Sequence, residues 1–249
     1  LNIKYLTILF SIFAFYSCNK PDAQNCIKST GDLITETKNL PNFSTIDLYG
    51  KIDLYLINSD ENRIEISAGK NLIPKITSII TDSTLKIDNE NKCNWVRSYK
   101  KGQIIVKLYF TQLNYIKING ENNVFSNNTD TLTFKNITIE VKSGISNINL
   151  IQKSDKTHLV IHDGSGEVFL KGKTNSLYVW NNGISLVDLR NLKTDYIYFV
   201  AKSQNKSFIN CNNKLDVDLY ENGDVYYYGN PLIINEKNFS NSAKLIKAD

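Results

Sequence analysis

His158 and His162 are the chain's two histidines, and both fall in the stretch His-Leu-Val-Ile-His-Asp. In an extended strand they share the face opposite Leu159 and Ile161, so they point away from an interior. Four residues along a strand separate them by roughly 13 Å, too far to share one metal ion. Among acidic residues, Asp216 and Asp218 face outward on one strand, with Asp188, Asp195 and Glu167 in neighbouring units. Cleaving a glycan needs carboxylates clustered around the bond, or a base beside a metal. These five alternate without pairing, as carboxylates on a solvated strand face do. There is no Ser or Cys nucleophile motif, P-loop or dinucleotide fingerprint. The expectation is a non-enzymatic protein without catalytic residues, cofactor or metal.

The aromatic pattern says more. If Leu177 and Val179 point inward, Tyr178 and Trp180 point outward. Tyr196 and Tyr198 face outward if Ile197 and Phe199 face inward, and Tyr220 follows the inward Leu219. An exposed stripe of such rings binds sugar rings or a protein partner. The same residues also favour β structure in their own right, or could lie beneath a loop.

The elements that would carry this stripe follow from period. From Phe43 onward apolar residues alternate with polar ones: Ile46 and Leu48, then Ile52, Leu54 and Leu56, then Ile64 and Ile66. Ile104, Val106, Leu108 and Phe110 form the cleanest run of this half, and only Asn71-Leu72-Ile73-Pro74-Lys75-Ile76 suits a single helical turn. From Tyr115 the chain becomes repetitive. Turns recur at Asn119-Gly120, Ser143-Gly144, Asp163-Gly164-Ser165-Gly166, Asn182-Gly183, Ser203-Gln204-Asn205 and Asn222-Gly223, about 18 to 24 residues apart. A degenerate last copy is Ser240 to Ala243. Such a period signals a solenoid, here an all-β parallel β-helix. Its inward positions would be Ile139 and Val141, Leu159 and Ile161, Val217 and Leu219 before the turns, then Ile148 and Leu150, Val168 and Leu170, Leu186 and Leu189, and Val225 after them. About six aliphatic side chains per coil, each worth roughly 1.5–3 kcal/mol buried, would drive the stacking. A β-sandwich with evenly spaced hairpins is the alternative.

The N-terminus reads as an address. Leu1–Ser17 begins with Lys4 and continues as the uncharged run Tyr5–Tyr16, the length of a signal-peptide core and too short for a stable span. Ser17-Cys18 then resembles the bacterial lipobox, making Cys18 the expected lipid anchor at a membrane surface. The expected organisation is a signal peptide over 1–17, a polar tether over 18–39, a β-rich portion over 40–114 and repeats over 115–247. With Cys18 acylated, three cysteines remain in an oxidising compartment. Cys26 and Cys93 lie outside the repeats and are the preferred disulfide pair, leaving Cys211 as a buried thiol. None has the close paired spacing of a zinc site.

Charge excludes little else. The formal net charge is +4, and basic residues are scattered, the longest run being Lys100-Lys101, so no nucleic-acid footprint is visible. Nothing in the sequence fixes the oligomeric state.

The lipoprotein-like start, Gly31–Thr37, Phe43 with Ile46-Asp47-Leu48-Tyr49-Gly50, Asn71-Leu72-Ile73-Pro74, the Gly-Ser-Gly-type turns and the closing Gly223–Pro231 together resemble the auto-transporter adhesin, head GIN domain family common in Bacteroidetes. The resemblance runs from about Gly31 to Lys247, and Gly164–Gly166 is its one intact Gly-Ser-Gly turn. It implies a right-handed parallel β-helix behind an N-terminal β-rich portion, and it brings no catalytic residues. The resulting expectation is a cell-envelope lipoprotein of the outer membrane, displaying a binding surface for a glycan or envelope protein. A purely structural envelope role and a carbohydrate-active enzyme on the same scaffold are the alternatives.

Overall fold

The computed structural model describes residues 29–91, 103–128, 130–240 and 242–249. The expected signal segment, the anchor Cys18 and the pair Cys26 and Cys93 lie outside the described residues.

The chain opens with β1 (Leu33–Asn39), β2 (Thr45–Tyr49), β3 (Ile52–Asn58) and β4 (Arg63–Gly69). A single 3-10 turn, Ile73–Lys75, leads to β5 (Ile76–Thr81), β6 (Thr84–Asn89) and β7 (Ile105–Phe110). Then come β8 (Tyr115–Asn119), β9 (Asn122–Ser126), β10 (Leu132–Thr133), β11 (Asn136–Ser143), β12 (Ile145–Ile161) and β13 (Ser165–Asn181). The last are β14 (Leu186–Asp188), β15 (Leu192–Ala201), β16 (Ser207–Leu219), β17 (Val225–Tyr228), β18 (Ile233–Phe239) and β19 (Leu245–Lys247).

These strands wind into a β-solenoid of about 6 turns. Each coil runs up one side, turns at a glycine corner, and returns along a second side. Every coil pairs in parallel with the next, so equivalent residues stack. Leu159 lies on Val179, Val179 on Phe199, and Phe199 on Val217. On the other side Ile148 lies on Val168 and Val168 on Val187. The alternation read from the sequence therefore becomes a set of interior columns.

One coil buries Ile148, Leu150, Leu159 and Ile161 completely. Four aliphatic side chains, rather than the expected six, contribute roughly 6–12 kcal/mol per coil. Polar residues fill the remaining interior positions at the corner opposite the glycines. Gln152, Thr157, Thr174 and Thr194 are fully buried and Ser154 nearly so. Ser154 Oγ donates to Thr174 Oγ1 at 2.8 Å, Thr157 Oγ1 to the same atom at 3.3 Å, and Gln152 Nε2 to Thr157 Oγ1 at 3.0 Å. Burying hydroxyls costs little once they pair in this way.

The glycine corner has two separate causes. Gly144 has φ 94°, and a Cβ there would lie 2.5 Å from the Gly120 carbonyl oxygen. At Gly183 only the second cause operates: a Cβ would lie 2.5 Å from the carbonyl oxygen of Gly164 in the coil below.

The N-terminal strands belong to the same stack. Thr45 of β2 pairs with Tyr115 of β8, and Leu54 of β3 with Val124 of β9, both in parallel. β6 and β7 lie on the other side of β2 and β3. Antiparallel strands close this end: β5 on β6, β4 on β7, and β1 on β4. At the opposite end, Glu236 stands on the rung above Val217 and Lys247 on the rung above Tyr227, both at register positions that are apolar in the coil beneath. Lys247 Nζ turns back to the carbonyl of Gly229 and to Asn230 Oδ1.

Two further expectations need correction. The far end of the polar tether is a strand: Leu33–Asn39 pairs with Gly69–Arg63 along its whole length. Its side chains are largely exposed, Leu33 at 70%, so backbone hydrogen bonds hold it and no alternation betrays it. Leu186 is not an interior residue. Val187 takes the position above Val168, and with Leu189 it is fully buried.

Candidate binding surface

Alternation on β13 buries Leu177 and Val179 and leaves Tyr178 and Trp180 half-buried on the outer side. β15 repeats this with Ile197 and Phe199 inside and Tyr196 and Tyr198 outside. Tyr220 is exposed beyond the end of β16, whose Leu219 is buried. All five rings stand on the side of the solenoid that precedes the glycine corner. Tyr178 stacks below Tyr198 with ring centroids 5.7 Å apart, and His158 meets Tyr178 edge-on at 5.6 Å. Lys202 Nζ lies 4.8 Å from the Trp180 ring and 5.2 Å from the Tyr220 ring, joining those two through one cation. Tyr196 starts a neighbouring column, with Lys214 Nζ 5.4 Å from its ring.

The carboxylates beneath these rings are not solvated. Asp216 and Asp218 do alternate outward, yet they are only 3% and 2% exposed because the next coil and the tyrosines cover them. Tyr196 OH donates to Asp216 Oδ2 at 2.9 Å, and Tyr198 OH to Asp218 Oδ2 at 2.7 Å. From the coil above, Asn235 and Asn238 donate to the other oxygen of each, both at 2.6 Å. Lys214 Nζ adds an ion pair to Asp216 at 3.2 Å. Burial opposes ionisation of Asp216, but Asn235, Tyr196 and Lys214 outweigh it and hold the carboxyl below its ordinary range. The hydrogen bond to Asp218, with burial, pushes Tyr198 up to about 12. Tyr196 is raised by burial and by Asp216, and Tyr178 by burial. These carboxylates anchor the rings, and their oxygens already accept hydrogen bonds. Such groups orient a surface and are poorly placed to move protons.

Farther down this side, Glu140 accepts from the Tyr115 hydroxyl and lies 2.6 Å from both His162 Nε2 and Lys142 Nζ. Burial opposes its ionisation, yet Lys142, Tyr115 and His162 bring it down to about 2. His158 and His162 thus have separate partners, and no group of three or more potential metal ligands occurs among the described residues. Of the other acidic residues, Asp188 pairs with Arg190 at 2.9 Å. Cys211 is a buried thiol.

The sequence reading missed a second aromatic cluster on the opposite side. Phe208 stacks on Tyr226 at 5.3 Å, and the Arg190 guanidinium covers Phe208 at 4.1 Å. The inward Ile209 was the available signal. Two shallow cavities, of about 240 and 210 Å³, lie elsewhere, the first lined by Lys51, Asp53 and Asn123 and the second by Phe134, Lys153 and Lys173. Neither involves the five rings.

A comparison with curated proteins finds no match. Among solved structures, a putative adhesin from Bacteroides fragilis superposes with a TM-score of 0.77 at 19% identity, covering 87% of this chain and 97% of that one. A putative lipid binding protein from Parabacteroides distasonis gives 0.65 at 15%, covering 90% and 99%. A putative adhesin from the same species gives 0.61 at 18%, covering 88% and 98%. At such identities the likeness concerns the fold. The family described as putative auto-transporter adhesin, head GIN domain, matches residues 42–231. With most of the solenoid inside that match, the chain belongs to this adhesin family.

Proposed function

We propose that the protein is a non-enzymatic, adhesin-like component of the cell envelope that uses its aromatic side to hold a glycan or a protein partner. The observation that carries this reading is the fixed aromatic row. Tyr178, Trp180, Tyr196, Tyr198 and Tyr220 share one side, and carboxylates and lysines hold four of them in place. Rigid, half-exposed rings lose little freedom on binding, and for that reason aromatic residues dominate contact surfaces. Family membership agrees with a cell-envelope or surface role. Among the described residues no helix is long and apolar enough to cross a membrane. Membrane attachment by acylation of Cys18, on the likeness of Ser17-Cys18 to a lipobox, and a Cys26–Cys93 disulfide are part of the proposal.

A glycan array with purified protein tests the reading. Binding that is lost in Trp180→Ala and Tyr198→Ala supports it. Turnover of any polysaccharide, or binding of neutral glycans unchanged in both variants, refutes it. Metabolic labelling with palmitate checks the anchor, which is wrong if Cys18→Ala still incorporates label.

A further inference from the structure

Lysines scattered in the sequence become neighbours in space. At the corner opposite the glycines, Lys153 of β12 pairs in register with Lys173 of β13, and Lys173 with Lys193 of β15. Parallel rungs are roughly 4.8 Å apart, so three exposed ammonium groups form a ridge along the solenoid axis. Lys171, one position back along the outer side, and Lys135, in the coil below, are exposed beside it. The buried hydroxyls of Ser154 and Thr174 hold the backbone of this corner from within.

The ridge differs from the other stacked lysines in making no ion pair and no ring contact among the described residues. Lys202, Lys214 and Lys237 each lie against an aromatic ring, and the latter two approach Asp216. Among the described residues, the ammonium groups of Lys153, Lys173 and Lys193 have no hydrogen-bond or ion-pair partner. Like charges on adjacent rungs repel, and a ligand that neutralises them removes that repulsion. A cavity of about 210 Å³ opens between coils at this point, lined by Lys153 and Lys173 together with Thr133, Phe134, Asp155 and Asn175.

We infer that this ridge binds an acidic polysaccharide, a chain of uronate-type sugars lying along the solenoid axis. The neighbouring column selects sugar over other polyanions. Two residues on from the lysines stand Asp155, Asn175 and Asp195, with Asn175 Nδ2 donating to Asp155 Oδ1 at 3.3 Å. Their oxygens accept hydrogen bonds from hydroxyl groups, which sugars supply at every ring. A polyphosphate strand without hydroxyl groups offers these oxygens no donor. The ridge lies outside the aromatic row and needs no ring from it, so the two surfaces can be tested separately.

Binding of polygalacturonate, measured by titration calorimetry in low salt against neutral dextran, tests the inference. The variant K153Q/K173Q/K193Q should bind about tenfold more weakly or worse, as expected from three exposed charge pairs lost together. Wild-type affinity should fall with added salt as the Debye length drops from about 10 Å at 0.1 M to about 3 Å at 1 M. Trp180→Ala and Tyr198→Ala should leave this binding intact even if they abolish glycan-array signals. Lys173→Gln alone, with an unchanged thermal midpoint, keeps the result readable if the triple variant folds poorly. The inference is overturned by absent polygalacturonate binding, by equal affinity in the lysine variants, or by equally strong binding of a single-stranded polynucleotide or phosphatidylglycerol vesicles.

Discussion

Replacing Thr174 by Val keeps the shape of a fully buried side chain and deletes its hydroxyl. That hydroxyl accepts from Ser154 at 2.8 Å and from Thr157 at 3.3 Å, and donates to the Ser176 carbonyl at 3.2 Å. Each such bond contributes about 0.5–1.5 kcal/mol net, and a buried group left without a partner costs about 1–3 kcal/mol. Ser154 and Thr157 can still pair with one another at 2.8 Å, which limits the damage. The expected loss is about 2 kcal/mol. With a urea dependence of about 3 kcal/mol per molar, the unfolding midpoint should fall by about 0.7 M. Thr194→Val, which removes only a bond to the Leu192 carbonyl, should cost about 1 kcal/mol. Ser154→Ala combined with Thr174→Val should cost about 1 kcal/mol less than the two singly, because neither leaves the other stranded. Urea unfolding followed by far-UV circular dichroism measures all four. If Thr174→Val matches the parent, or if the pair is strictly additive, the buried hydroxyls are not a coupled network and the reasoning fails.

Acid should loosen the solenoid in one defined window. Glu140 has its folded pKa near 2 against an ordinary 4.5, so its contribution is complete above about pH 4.5 and vanishes as pH falls toward 2. The loss is up to about 3 kcal/mol, and thermal midpoints between pH 7 and pH 3 should fall less steeply in Glu140→Gln. At the alkaline end, Asp218→Asn should lower Tyr198 from about 12 toward 10, seen as earlier tyrosinate absorbance near pH 10; an unchanged titration would show that Asp218 does not hold the ring. Gly144→Ala places a Cβ 2.5 Å from the Gly120 oxygen at φ 94° and should destabilise by at least about 2 kcal/mol. Gly164→Ala, with 3.1 Å of clearance and no positive φ, should cost clearly less in the same melt, and the reverse order would disprove the steric account.

The coil architecture was legible because a parallel stack repeats its constraints every turn. Gly144, Gly164 and Gly183 mark one corner, and Leu159, Val179, Phe199 and Val217 fill one column. The outward position of the five candidate rings followed from the same alternation. What stayed hidden depends on neighbours about twenty residues away. Asp216 looks solvated beside Lys214 and Asp218, and it is buried by Tyr196 and Asn235 from adjacent coils. The lysine ridge is invisible for the same reason, since no two of its members are close in sequence. Leu33–Asn39 was read as tether because an edge strand held by its backbone needs no apolar face. Leu186 was misplaced because Leu186 and Leu189 differ by an odd number of residues, so both could not face inward.

The rungs that carry Glu236 and Lys247 bear on how readily a second copy could stack on this end. A stack of identical rungs has no intrinsic stopping point, and an apolar last rung would nucleate growth on a second copy. Here any rung laid on the tip would have to desolvate a carboxylate and an ammonium where the coil below offers Val217 and Tyr227. The charges oppose stacking at those two positions, while Ile234 and Leu245 on the same rungs stay apolar above Leu215 and Val225. The long flanks remain the surfaces with contacts to offer.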